Sequence, residues 1–119
     1  MIMPSSADCL FCRIRDGQLP AKKVHEDETC FAIRDINPQA PTHLLVIPKR
    51  HVATLNDLSA DDAAAVGHLV LVAKKLAAAE GHAEQGWRTL FNVNQQAGQT
   101  VFHIHLHVLG GRAFGWPPG

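Results

Sequence analysis

Three histidines alternate with apolar residues in one stretch near the end of the chain, Val101-Phe102-His103-Ile104-His105-Leu106-His107-Val108-Leu109. Successive side chains of a β-strand point to opposite faces, so the alternation predicts a strand over 101–109 with the three histidines on one face. The other face, expected to pack on the core, would consist of Phe102, Ile104, Leu106 and Val108. Packing alone has no use for three titratable rings in a row, and the row therefore indicates a functional site.

The chemistry open to such a row is that of imidazole, which can ligate a metal, carry a proton or act as a nucleophile. The preceding Gly98-Gln99-Thr100 offers close backbone approach, a side-chain amide and a hydroxyl. Together with His107, these donors suit a tetrahedral anion such as phosphate. The sequence therefore predicts a phosphate-binding loop beside the histidine row.

A second chemical feature is the Cys9-x-x-Cys12 pair. Its spacing fits two metal ligands, a redox pair or two buried thiols. The redox interpretation would need a thioredoxin-like βαβ context, which the neighbouring sequence does not provide. The third cysteine, Cys30, falls in a predicted strand and is expected to be a small buried hydrophobic residue.

The elements that position these residues follow from periodicity and turn signals. A short helix is predicted over 9–17, with Asp8 as its N-cap and Gly17 at its end. A longer helix is predicted from Ser59 to near Gly81. Its apolar stripe would consist of Ala63, Val66, Leu69, Val70, Ala73, Leu76 and Ala77.

Five strands are predicted in addition to the helices. They cover residues 22–25, 29–34, 43–48, 87–94 and 101–109. The third is almost continuously apolar and is expected to be buried on both faces. This element order predicts a single α+β domain over 1–119, built on an antiparallel sheet, with a loose tail at 1–8 and a second tail at 110–119.

Bulk properties narrow the classes of function. Lys+Arg and Asp+Glu both number 11, so stable nucleic-acid binding by bulk electrostatics is not expected. No apolar run approaches the roughly 20 residues of a membrane span, and residues 1–8 lack the features of a signal peptide. With an odd cysteine count and no export signal, reduced thiols and a cytoplasmic location are expected.

The chain resembles the histidine triad (HIT) family, in its Hint branch of purine nucleoside phosphoramidases. The pattern H-x-H-x-H followed by two apolar residues spans His103 to Leu109, and the resemblance extends over nearly the whole chain. The other matching segments are Leu19-Pro20-Ala21-Lys22, Asp35-Ile36-Asn37-Pro38-Gln39-Ala40-Pro41-Thr42-His43, Val46-Ile47-Pro48-Lys49, Gly98-Gln99-Thr100-Val101 and Trp116-Pro117-Pro118-Gly119.

The resemblance implies a hydrolase that cleaves nucleoside 5′-phosphoramidates through a nucleotidyl-histidine intermediate. His105 would be the nucleophile, His107 would bind the α-phosphate, and His43 would hold or relay protons. Asp35 would take the ribose hydroxyls. The remaining implied residues are Gly98, Gln99 and Thr100 for the phosphate and leaving group, Asn92 beside the phosphate, and Leu10, Phe11, Ile14, Ile33 and Ile36 for the purine.

The resemblance also implies partners and a metal. Relatives form homodimers with a sheet continued across two subunits, and the tail carrying Trp116 would reach towards the partner's site. Several bacterial members with the cysteine pair hold a structural zinc, which here would be bound by Cys9, Cys12, His51 and His103. Many members of the branch lack both cysteines, so zinc does not follow from the branch as a whole.

Two other functions remain open from the residues. A catalytic zinc hydrolase could place its metal between His105 and His107, because histidines at i and i+2 of a strand can face one ion. Chelation would then abolish activity. A non-catalytic purine nucleotide-binding or scaffold protein would bind purine monophosphates without turnover.

Overall fold

The computed structural model describes residues 8–119, and most of the tail predicted at 1–8 lies outside them. A five-stranded antiparallel sheet in the order β1-β2-β3-β5-β4 confirms the predicted α+β class. The strands are β1 (Lys23–Glu26), β2 (Cys30–Arg34), β3 (Thr42–Pro48), β4 (Trp87–Leu90) and β5 (Leu106–Gly110), and the helices are α1 (Leu10–Arg15) and α2 (Ala63–Ala79).

The sheet carries a helix on each face. Alternate residues of the central strands, including Leu44, Val46, Leu106 and Val108, pack against α2. Their neighbours on the opposite face, such as Leu45 and Ile47, pack against α1. Every residue of β3 is buried, which confirms the prediction of a strand covered on both sides.

The histidine strand is shorter than predicted, because only Leu106–Gly110 pairs with its neighbours. Every second residue of β3 hydrogen-bonds to β5. Val46, opposite Leu106, is one of these residues, so the next one along β3 would be Pro48. Proline has no N–H to donate to a ladder. The chain turns away at this point, and the Ile104 N–H donates to the Val52 carbonyl at 2.8 Å instead. The predicted core face is accordingly wrong at Phe102, whose surface is 47% exposed.

The late start of β5 also shortens β4, its neighbour on the other side. Leu90 pairs with His107, and β5 extends only one residue further in this direction, to Leu106. The strand predicted over 87–94 therefore ends at Leu90.

The long helix is confirmed, with a shifted stripe and a later start. Ser59 and Asp62 form a capping box on a 3₁₀ turn, and the α-helix follows from Ala63. Val70 is 43% exposed, contrary to prediction. The buried positions are Leu69, Val72, Ala73, Leu76 and Ala77.

The short helix has a different cap from the one predicted. Cys9 is the N-cap, and its Sγ accepts the Cys12 N–H at 3.3 Å. Asp8 therefore does not cap α1, whereas Gly17 follows the helix with a φ of 76°, a conformation that favours glycine. No helix within 8–119 is long and apolar enough to cross a membrane.

Candidate functional site

A row of side chains across the α1 face of the sheet forms the floor of a large pocket. Ile33 lies opposite Leu45 on β2 and β3, and Leu45 lies opposite His107 on β5. The pocket has a volume of about 720 Å³, which is within the range of small-molecule sites. Its lining comprises Leu10, Phe11, Ile14, Leu19, Pro20, Ala21, Lys22, Ile33, Arg34, Asp35, Ile36, Leu45, Asn92, Gly98, Thr100, Val101, His105 and His107.

All five apolar residues expected at a purine wall line this pocket. Leu10, Phe11 and Ile14 come from α1, and Ile33 comes from β2. Ile36 is 99% exposed at the rim. Sequence reasoning missed Leu45, although register could have identified it, because it lies two residues after His43 on the same face of β3.

His107 is held in one tautomer by a chain of hydrogen bonds. The Gln39 backbone N–H donates to His43 Nδ1 at 3.0 Å. In neutral His43 the proton is therefore on Nε2, which lies 2.9 Å from His107 Nδ1. With Nδ1 as the acceptor, neutral His107 carries its own proton on Nε2. That buried nitrogen has no partner among the described residues, so it can offer its N–H to a ligand.

His105 is held in the opposite tautomer. Its Nδ1 lies 2.8 Å from the His103 carbonyl oxygen, to which it donates. The lone pair is therefore on Nε2, the nitrogen that a nucleophilic histidine would use. Phe11 packs edge-on against this ring at a centroid distance of 5.0 Å.

Burial keeps these rings uncharged at neutral pH. Burial, together with the neighbouring His105 and His43, lowers the pKa of His107 to about 4 against the opposing effect of Asp35. Burial also lowers the pKa of His105 and of His43, although the Asp35 carboxylate partly offsets both shifts. Neutral imidazoles leave the lone pair of His105 available for attack.

Asp35 connects the proton chain to the pocket. Its Oδ2 lies 3.4 Å from His43 Nε2, and its Oδ1 accepts the Asn37 N–H at 2.8 Å. A carboxylate fixed in this way at a pocket wall can accept hydrogen bonds from two hydroxyls of a diol.

The loop before the histidines supplies fewer ligand contacts than predicted. The Gln99 side chain is buried and donates to the Ala53 and Val101 carbonyls at 2.8 and 3.1 Å. It stabilises the loop and does not line the pocket, whereas Gly98, Thr100 and Asn92 do. Gly98 has a φ of 85°, which explains the glycine. Trp116 is 84% exposed and lies outside the pocket lining.

Two cysteine sulfurs and two histidine nitrogens lie close together. They form the cysteine–histidine cluster, which consists of Cys9, Cys12, His51 and His103. Their ligand atoms lie within 4.8 Å of one another. The two Nδ1 atoms are 3.1 Å apart, and the sulfur–nitrogen distances of Cys9–His103, Cys12–His51 and Cys12–His103 are 3.3, 3.4 and 3.5 Å.

The donor types and the three sulfur–nitrogen separations fit a zinc ion, and the two Nδ1 atoms lie slightly closer together than an ideal tetrahedron would place them. Zinc–ligand bonds of about 2.0 to 2.3 Å imply ligand separations of roughly 3.3 to 3.8 Å in a tetrahedron. His103 Nε2 lies 2.7 Å from the Pro48 carbonyl oxygen and donates to it, which leaves Nδ1 as the ligand. By contrast, none of the three-donor clusters found among residues 8–119 contains His105. A metal between His105 and His107 therefore has no complete ligand set in this part of the chain.

Comparison with known proteins identifies the family. The HIT domain model matches residues 16–114. The chain belongs to the HIT family. It is 45% identical over 108 residues to the purine nucleoside phosphoramidase of Escherichia coli, with 91% of each chain covered. It is also 49% identical to an uncharacterised HIT-like protein of Synechococcus elongatus, covering 96% of this chain and 99% of the other.

Solved structures of the HIT family share the fold. The crystal structure of a HIT family hydrolase from Legionella pneumophila Philadelphia 1 has a TM-score of 0.92 and 57% identity. The alignment covers 94% of this chain and 100% of that one. A histidine triad protein from Clostridium difficile has a TM-score of 0.90 at 38% identity, covering 94% and 97%.

Proposed function

We propose that the protein hydrolyses the P–N bond of purine nucleoside 5′-phosphoramidates through an intermediate on His105. The observation that carries the proposal is the pair of opposite tautomers at the pocket. His105 offers a lone pair on Nε2 and His107 offers an N–H on Nε2. The similarity to the Escherichia coli phosphoramidase supports the choice of substrate.

In the first step, His105 Nε2 attacks the α-phosphorus. A new N–P bond forms, and the bond to the substrate amine breaks with its electron pair remaining on the amine nitrogen, which takes up a proton from solvent. The His107 Nε2–H donates to a phosphate oxygen as negative charge develops there. The His105 ring now carries phosphorus on Nε2 and a proton on Nδ1, and the His103 carbonyl stabilises its positive charge.

In the second step, water attacks the same phosphorus. The N–P bond to His105 breaks, its electron pair returns to Nε2, and a nucleoside monophosphate leaves. The water proton passes to solvent, directly or by relay through the proton chain of His43, so the proton taken up in the first step is returned and the enzyme regains its starting state. Thr100 is proposed to contribute its hydroxyl to the phosphate end, where it lines the pocket.

The apolar wall and Asp35 account for binding of the nucleoside. Leu10, Phe11, Ile14, Ile33 and Ile36 would enclose the base, and Asp35 would accept hydrogen bonds from the ribose hydroxyls. Asn92 and Gly98 would adjoin the phosphate. An apolar wall discriminates weakly between adenine and guanine, so both purines are expected as substrates.

We also propose that the cysteine–histidine cluster holds a structural zinc. Four protein donors close the coordination shell, which is typical of structural sites. The ion would cross-link α1 to the segments carrying His51 and His103. All three cysteines are free and buried, which fits the reducing cytoplasm that we propose as the location.

The homodimer implied by the resemblance is a further proposal. Val70 and Leu71 are 43% and 63% exposed on α2. These apolar side chains would be covered if α2 packed against a second copy. Trp116, exposed in this chain, would then be available to the partner's pocket.

The test of the proposed activity is hydrolysis of adenosine 5′-phosphoramidate, followed by chromatographic detection of AMP. The wild type is expected to turn over, whereas His105→Ala is expected to lose turnover and retain AMP binding. Normal turnover by His105→Ala would contradict the proposal. Micromolar AMP binding without turnover by the wild type would favour a binding protein instead.

A further inference from the structure

The cysteine–histidine cluster and the proposed nucleophile share a short backbone segment. Only Ile104 separates His103 from His105. The cluster and the nucleophile use different parts of His103. The His103 ring belongs to the cluster, while its carbonyl accepts the Nδ1–H of His105. Any change in how the His103 ring is held therefore acts on the partner that fixes the His105 tautomer.

A second connection runs through α1. Cys9 and Cys12 belong to the cap and first turn of this helix. Phe11 lies between them in sequence, and its ring packs edge-on against both His103, at 5.9 Å, and His105, at 5.0 Å. Phe11 is also part of the pocket wall together with Leu10.

The segment that carries His103 and His105 is held by few contacts other than those of the cluster. Residues 101–105 precede β5 and pair with no strand. Their described anchors are the bond from the Gln99 side chain to the Val101 carbonyl, the Ile104 N–H bond to Val52, the His103 ring bond to Pro48 and the cluster itself. His103 is fully buried, so its ring depends on these neighbours for its orientation.

We propose that the cysteine–histidine cluster, when loaded with zinc, is a positioning device for the nucleophile and the purine wall. Loading fixes the His103 carbonyl and Phe11, and thereby holds His105 with Nε2 unprotonated. This inference rests on the proposed function, which makes His105 the nucleophile. It gives the zinc a role in positioning that nucleophile, in addition to stabilising the fold. In the unloaded protein, the proton of His105 redistributes between its ring nitrogens, since a free imidazole in water favours the Nε2–H form.

The test compares the zinc-loaded wild type, the chelator-treated wild type and His51→Ala. His51 is a suitable position because its described contacts lie within the cluster and it does not line the pocket. Long-range proton–nitrogen correlation spectra of histidine-labelled protein report the His105 tautomer, and calorimetric titration with AMP reports the pocket. His68→Ala is the matched control, because His68 is partly exposed and bonds Asp27, away from both sites.

The loaded wild type and His68→Ala are expected to bind one zinc per chain at the cluster and to show one His105 tautomer, protonated on Nδ1. Chelated wild type and His51→Ala are expected to show the Nε2–H form as well. Their AMP affinity should fall at least about tenfold, equivalent to about 1.4 kcal/mol. The amides of β3 should keep their protection from exchange, which separates repositioning from unfolding. Cys12→Ser provides a second variant should His51→Ala fail to fold.

The inference is overturned if zinc-free protein keeps both the single His105 tautomer and its AMP affinity, or if the cluster binds no zinc. Failure of the proposed function gives a different pattern. In that case no form hydrolyses adenosine 5′-phosphoramidate, although removing zinc still changes the tautomer and AMP binding.

Discussion

The proton chain through His43 makes a quantitative prediction for catalysis. His43→Leu removes the Nε2–H group, whose nitrogen lies 2.9 Å from His107 Nδ1. It places an apolar side chain of similar size at a position that is only 6% exposed. His107 then loses the restraint on its tautomer and can turn a lone pair, in place of an N–H, towards the phosphate. Loss of one preorganised donor to developing charge costs about 10²- to 10³-fold in kcat.

His43→Gln is the matched variant for this prediction. Its side-chain amide can place an N–H near the position of His43 Nε2, so the restraint on His107 is partly kept. We expect kcat for adenosine 5′-phosphoramidate, measured by AMP release, to fall about 10²- to 10³-fold in His43→Leu and less than about tenfold in His43→Gln. AMP affinity should fall by a much smaller factor than kcat, because most of the negative charge that the His107 N–H stabilises develops in the transition state. Equal loss in the two variants, or wild-type kcat in His43→Leu, would refute the role of the donor.

Three further predictions concern the ribose, the hairpin and the dimer. Asp35→Asn should weaken AMP binding about tenfold or more but leave 2′,3′-dideoxy-AMP binding nearly unchanged in calorimetry; equal weakening of both would show that Asp35 does not bind the ribose. Burial alone would raise the pKa of Asp27, but hydrogen bonds from His25, His68 and two backbone N–H groups together hold it well below its ordinary value. Its stabilisation is therefore full above the ordinary carboxyl pKa and is lost as pH falls towards the folded-state pKa. Asp27→Asn should lower the free energy of unfolding by about 1–3 kcal/mol at pH 7 in urea titrations, and a deficit that grows as the pH falls below the ordinary carboxyl pKa would contradict this reasoning. Leu71→Asp should convert the proposed dimer to a monomer in sedimentation experiments, and a monomeric wild type would remove the basis of that prediction.

The fold was predictable because its strongest signals are local. The apolar run in β3 and the 3–4 residue periodicity of α2 both correspond to observed elements. The end of the histidine strand was not identified, because it depends on which residue of β3 lies opposite. Only the register shows that Pro48 would be the next partner and cannot donate.

Much of the pocket lining was predictable, but its hydrogen bonds were not. Residue types and resemblance brought together His105, His107 and the apolar wall, which line one pocket. The tautomers of His105 and His107 depend on backbone partners at His103 and Gln39, and sequence spacing carries no information about those contacts. Gln99 illustrates the same limit, since its amide could face a ligand or the loop, and tertiary contacts direct it to the loop.

Trapping the intermediate and locating its phosphorus tests the role of His105 as the nucleophile most directly. A single turnover with adenosine 5′-phosphoramidate, quenched under mildly alkaline conditions that preserve a phosphorus–histidine bond, would be followed by peptide mass spectrometry. An adenylyl group is expected on His105 at Nε2, and none in His105→Ala. Turnover without a covalent intermediate, or an adenylyl group on His107 or His43, would contradict that role of His105.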